Sequence, residues 1–201
     1  MTSEGIVVPP LPMTFSWLRP PADWSVDDAA LSISAGRKTD WFADPAGGVP
    51  VLNAPALVGR PPDEDFTLIA RVRIAAASTF DAGVLFVYHD DKTWAKNCLE
   101  LSPQRQSMIV SVVTRDVSDD CNSQTVEDGE AWLRLARVDR AFAFHASRDG
   151  RRWELVRFFA LPGCDVTVGF VAQSPTGEGC TASFTDLAYT DRRLADLRDG
   201  T

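Results

Sequence analysis

Apolar residues along this chain recur with a period of two, the mark of strands whose side chains alternate between a core and the opposite face. The clearest run is 65–74, where Phe66, Leu68, Ala70, Val72 and Ile74 alternate with Thr67, Ile69, Arg71 and Arg73. One face is apolar and the other largely polar, as in a half-exposed antiparallel strand. Similar runs predict strands over 82–88, 93–101, 108–115, 132–138, 142–147, 153–159, 166–172 and 181–189, with earlier ones over 14–18, 31–35 and 56–59. Turn chemistry separates them. His89-Asp90-Asp91-Lys92 joins two strands, and Pro162-Gly163 and Pro175-Thr176-Gly177 mark later turns. Asp149-Gly150 predicts a type I′ hairpin, with positive φ at both central residues. Only the tail, 192–198, carries a helical pattern, enough for one or two turns.

So many short strands without intervening helices predict an all-β fold, a two-sheet antiparallel β-sandwich of jelly-roll type. No internal repeat or low-complexity linker divides the 201 residues. The whole chain, 1–201, reads as one domain, with its core over 14–189 and short extensions at either end. The Pro- and Gly-rich segment 44–62 reads as a long loop crossing the sandwich, because too little chain precedes it for a separate core. An apolar fraction of 45% is ordinary for a globular protein and supplies a full core.

Charge and cysteines narrow the function classes. A net charge of −8 argues against a nucleic-acid partner, since phosphate backbones call for clustered Lys and Arg. No apolar run approaches the roughly 20 residues of a membrane-spanning helix. The first residues lack the basic and apolar regions of a secretory leader. Cys98, Cys121, Cys164 and Cys180 match neither a zinc pattern nor a redox motif, and read as reduced thiols of a cytoplasmic protein. Cys98 and Cys180 fall in strand-like runs, as small core residues.

Several stretches, taken in order, resemble one family. They are Thr39-Asp40-Trp41-Phe42, then Phe80-Asp81-Ala82-Gly83-Val84-Leu85, then Trp94-Ala95-Lys96 with Leu99-Glu100. Ser111-Val112-Val113-Thr114 with Ser118-Asp119 follows, then Ser147-Arg148-Asp149-Gly150 with Trp153, and last Val168-Gly169-Phe170 with Gln173-Ser174-Pro175. The chain is similar, over nearly its whole length, to the domain of unknown function 1349 family, the YesU-like or regulation-of-enolase family. It departs from that pattern at Asp120-Cys121, where an aromatic is usual, and at Asn97-Cys98, where a small residue is common. The resemblance implies a concanavalin A-like sandwich with a groove on its concave sheet and a link to carbohydrate metabolism.

The strand 93–101 carries the most chemistry. Alternation puts Trp94, Lys96, Cys98 and Glu100 on one face and Ala95, Asn97, Leu99 and Leu101 on the other, which should meet the core. A Trp beside charged groups suits a sugar: the indole offers a flat platform and the charges bond hydroxyls. The expected arrangement has Trp94 stacking and Asp40 with Trp41 at the rim. Lys96, Glu100, Thr114, Arg134 and Gln173 supply hydrogen bonds, and Ser118 and Asp119 stand beside them.

Catalysis is not the expectation. A glycosidase needs two carboxyl groups at a set separation. The glucanases of the superfamily place them on alternate residues of one strand, where this chain has Cys98 and Ser102 on either side of Glu100. Glu127-Asp128-Gly129-Glu130 reads as an exposed turn before Trp132. A second carboxylate from another strand, Asp40 or Asp119, keeps an unrecognised glycoside-active enzyme as the alternative. No nucleophile elbow or P-loop is present, and neither His89 nor His145 has a partner at ligand spacing. Asp116, Asp119 and Asp120 read as a solvated acidic loop without calcium-loop spacing. The sequence therefore predicts no metal and no cofactor. It predicts a saccharide or small polyol as ligand, with a protein partner or a second copy of the chain as the competing reading.

Overall fold

The computed structural model describes residues 5–28, 30–163 and 165–201. The first four residues and Cys164, which enter the leader and cysteine readings, lie outside them. Among the described residues there is no helix, and two antiparallel sheets face each other across a shared core.

The eight-stranded sheet runs in the order β1 (Ile6–Val7), β2 (Thr14–Arg19), β7 (Ala56–Gly59), β16 (Thr167–Gln173), β9 (Ala82–Asp90), β10 (Thr93–Leu101), β11 (Ser107–Arg115), β12 (Val117–Thr125). The seven-stranded sheet runs β15 (Glu154–Ala160), β14 (Ala141–Ser147), β13 (Glu130–Val138), β8 (Phe66–Ile74), β17 (Gly179–Thr190), β4 (Ala30–Gly36), β3 (Asp23–Val26). A small hairpin, β5 (Trp41–Phe42) with β6 (Val51–Leu52), stands apart from both. This is the predicted all-β sandwich.

Period-two alternation sorts the side chains as the sequence implies. Phe66, Leu68, Ala70 and Val72 of β8 point inward with Leu133 and Leu135 of β13. They meet Leu85 and Val87 of β9, Ala95 and Leu99 of β10, and Phe170 of β16. Each fully buried Leu, Val or Phe contributes about 1.5–3 kcal/mol through removal of apolar surface from water.

The opposite face of the eight-stranded sheet is not a solvated face. Trp94, Cys98, Phe86, Val84, Val110, Val112 and Val171 build a second apolar cluster there, closed over by Trp41 and Ala54 from the segment around β5 and β6. The stretch read as a crossing loop, 44–62, therefore covers this face and also supplies β7, a central strand. Its close approach is visible at Gly169 of β16, where a Cβ atom would sit 1.9 Å from the Leu57 carbonyl oxygen.

Three local expectations are corrected. The acidic stretch read as a loop forms edge strand β12, paired with β11. The tail at 192–198 forms no helix. Asp149-Gly150 does not make a two-residue hairpin: β14 ends at Ser147 and β15 begins at Glu154, with positive φ at Gly150 but not at Asp149. The Asp149 carboxylate instead accepts from the Arg151 and Arg152 backbone N–H groups, at 2.8 and 2.9 Å, holding a wider turn.

Gly169→Ala is expected to destabilise the fold by roughly 1–3 kcal/mol, since the methyl must displace backbone rather than a flexible side chain. Urea unfolding measures it; an unchanged midpoint would mean that β7 and β16 have room to separate.

Candidate functional site

A pocket of about 150 Å³ opens on the outward face of the eight-stranded sheet, lined by Asp40, Phe42, Phe80, Lys96, Glu100, Val112, Asp120 and Gln173. Sheet register explains much of this gathering. Lys96 of β10 pairs with Val112 of β11, which pairs with Asp120 of β12, so the three share one row and one face. Gln173 of β16 and Glu100 of β10 both pair with Ala82 of β9, which puts them in a second row on the same face. Asp40 arrives from the covering segment. Its backbone N–H donates to Asn53 Oδ1 at 2.9 Å, and its carbonyl accepts from the Asn53 and Ala54 N–H groups at 3.0 and 3.1 Å.

Lys96 lies at the centre with only 2% of its surface exposed. Its Nζ donates to Gln173 Oε1 at 3.0 Å and to Asp40 Oδ1 at 3.3 Å. Burial opposes its charge, but Asp40 and the other negative groups around it outweigh burial and hold its pKa above the usual lysine value. Glu100 is pushed up to about 7, first by burial and then by Asp120 and Asp40, against the pull of Lys96. Asp120 is raised for the same reason, burial first, with Asp40 and Asp119 adding to it. Burial likewise drives the Cys98 thiol far up, so it stays protonated and inert.

Phe80 forms one wall in an unusual backbone conformation, with φ at 71°. A bulky residue there is strained, and the surrounding structure must hold it. The buried Asp81 carboxylate does so: it accepts from the Ala77 and Ser78 N–H groups at 2.9 and 2.8 Å and from the Ser174 hydroxyl at 2.6 Å. The Phe80 N–H donates to the Leu101 carbonyl at 2.7 Å, fixing the turn against the end of β10.

Of the residues singled out from sequence, Asp40, Lys96, Glu100 and Gln173 are brought together here. The others stand elsewhere. Trp94 and Trp41 are wholly buried, packed edge to face against each other at 6.0 Å, so neither offers a stacking face. Trp41 Nε1 donates to the Ala54 carbonyl at 2.9 Å and locks the covering segment. Thr114 and Ser118 are buried and bonded to each other at 2.9 Å, and Ser118 exchanges hydrogen bonds with the Ala43 backbone. Asp119 points to the other side of β12 and pairs with Arg157 at 2.9 Å.

Arg134 sits on the outer face of the other sheet, across the core from the pocket. Its guanidinium lies 4.4 Å from the Trp153 ring, and burial lowers its pKa to about 10. Beside it, burial and Arg134 lower His145 to about 4, and His145 Nε2 bonds the Leu197 carbonyl at 2.6 Å. This cluster anchors the C-terminal tail. Sequence reasoning missed Phe42, Phe80, Val112 and Asp120 as pocket walls, although each belongs to or adjoins a stretch that carried the family resemblance.

The architecture is shared with solved structures. A functionally unknown protein from Saccharomyces cerevisiae superposes with a TM-score of 0.80 at 25% identity, covering 88% of this chain and 95% of that one. The GH43 BlXynB protein from Bacillus licheniformis shares the sandwich at a TM-score of 0.72 and 16% identity, over 89% of this chain and 37% of that one, a likeness of fold alone. These define the class as a jelly-roll sandwich. The chain belongs to the family described as protein of unknown function (DUF1349), which matches residues 17–192. A curated relative, regulation of enolase protein 1 from Saccharomyces cerevisiae (strain ATCC 204508 / S288c), is 27% identical over 179 residues, covering 87% of this chain and 88% of that one.

Glu100 should leave a signature in stability. Its folded pKa near 7 lies above the ordinary 4.5, so its contribution is complete below about pH 4.5 and is lost as pH rises through 7. Glu100→Gln removes that loss. Between pH 5 and pH 8 the wild type is expected to lose about 2 kcal/mol relative to the variant, allowing for partial exposure of the carboxyl. Urea unfolding at the two pH values tests this; parallel pH profiles would show that the carboxyl is not held high.

Proposed function

We propose that this protein is a non-catalytic binding protein of the cytoplasm whose pocket takes one sugar ring or a similarly small polyol. The observation that carries this reading is the convergence of Lys96, Gln173, Asp40, Glu100 and Asp120 in one pocket that two aromatic side chains, Phe42 and Phe80, also line. Hydroxyl groups need donors and acceptors side by side, and this set supplies both. The aromatic contact expected of Trp94 passes to Phe42 and Phe80, with Phe80 37% exposed. At about 150 Å³ the space is below the range of drug-sized sites, which favours a single ring over an oligosaccharide.

A regulatory role in carbohydrate metabolism is the companion reading, favoured by the name of the yeast relative, regulation of enolase protein 1. The two readings agree if the pocket senses a small metabolite. Free Cys98, Cys121 and Cys180 suit a reducing compartment.

Ligand-observed NMR with D-xylose, D-glucose and the corresponding alditols tests the proposal on the full chain. Binding in the micromolar to millimolar range is expected, weakened at least tenfold in Gln173→Ala. Silence across that panel, or binding indifferent to Gln173→Ala, would remove the pocket from the reading.

A further inference from the structure

Three carboxyl groups line the pocket, from Asp40, Glu100 and Asp120, against the single ammonium of Lys96. Asp40 and Gln173 already hold that ammonium. Glu100, half-buried on β10, and Asp120, exposed on β12, receive no hydrogen bond from any described residue, and both line the same space. Two acceptor groups without donors beside two aromatic walls form a site short of positive charge. The net charge of −8 on the chain adds a long-range field of the same sign.

A metal ion would answer the charge but not the geometry. Among the described residues no group of three or more Asp, Glu, His or Cys side chains could hold one. An organic ammonium fits better. It donates three hydrogen bonds, needs no fixed coordination shell, and gains from aromatic faces nearby. Lys96 and Gln173, which line the same pocket, stay available for hydroxyls.

We propose, resting on the polyol-binding reading above, that the pocket selects a ligand bearing a protonated amine, an amino sugar or amino polyol, with its ammonium between Glu100 and Asp120. Burial, with Asp120 and Asp40 adding to it against Lys96, pushes Glu100 up to about 7, so it carries a proton part of the time at neutral pH. An arriving ammonium supplies the missing charge, and that proton leaves to solvent. Binding of the amine therefore strengthens as pH rises through 7, while a neutral polyol gains nothing from the same change.

The test compares two probes that differ by one group, 1-amino-1-deoxy-D-glucitol and D-glucitol, by isothermal titration calorimetry on the full chain. At pH 8 the amine is expected to bind at least tenfold more tightly. The advantage should shrink toward pH 6, and the heat at pH 7 should depend on the buffer because a proton is released. In Glu100→Gln and in Asp120→Asn the ratio of the two affinities should fall toward one. Two independent variants keep the test open if either one fails to fold. A ratio near one in the wild type at both pH values overturns the inference, as does a ratio that survives both variants. D-glucitol binding without an amine preference overturns this inference alone. Binding of neither probe, together with a silent sugar panel, overturns the polyol reading as well.

Discussion

The buried ammonium of Lys96 is the interaction on which the outward face of the eight-stranded sheet depends. A charge taken out of water is costly unless it is paired and hydrogen-bonded. Here its partners come from two separate places, Asp40 on the covering segment and Gln173 at the end of β16. Apolar packing beneath Trp41 brings the cover down, but packing alone is non-directional. The ion pair and the Gln173 bond fix where it rests. The pocket is what remains open beside that contact, so its shape follows from satisfying one charge.

Strands with one buried face were legible, because burial imposes the period of two. β10 and β7 have the bounds that alternation assigns them, and β8, β9, β11 and β14 differ by a residue or two. β12 was not legible. Of its nine residues only Ser118 is buried, so its sequence, VSDDCNSQT, has no apolar alternation to read. Main-chain hydrogen bonds to β11 make it a strand, and its charges suit an exposed sheet edge. The tail failed for a related reason. Its pattern of Leu and Arg serves contacts with the sheet, through Leu197 and His145, and not a helix of its own.

Within the site, parity along β10 by itself puts Lys96 and Glu100 on one face. It could not say that the face was covered, because the cover is a distant segment. Trp94 therefore read as a stacking platform and Trp41 as a rim residue, when both are the packing that seals the second cluster. Asp119 and Asp120 could be told apart only once β12 was known to be a strand. With Ser118 on the outward face beneath the covering segment, Asp120 shares its side and Asp119 takes the other, toward Arg157. Arg134 shows the limit of residue type as a guide: a polar side chain in a strand says nothing about which of two sheets it belongs to.

Phe80 places the pocket under a conflict between backbone strain and cavity shape. A left-handed backbone costs a bulky residue on the order of 1–3 kcal/mol, and glycine adopts it freely. Stability alone would favour glycine at this position, and the same change would delete one wall. Relief of backbone strain here and preservation of the cavity wall thus pull in opposite directions. The ring held at φ 71° therefore joins a local cost in backbone energy to the shape of the cavity, through a single torsion angle.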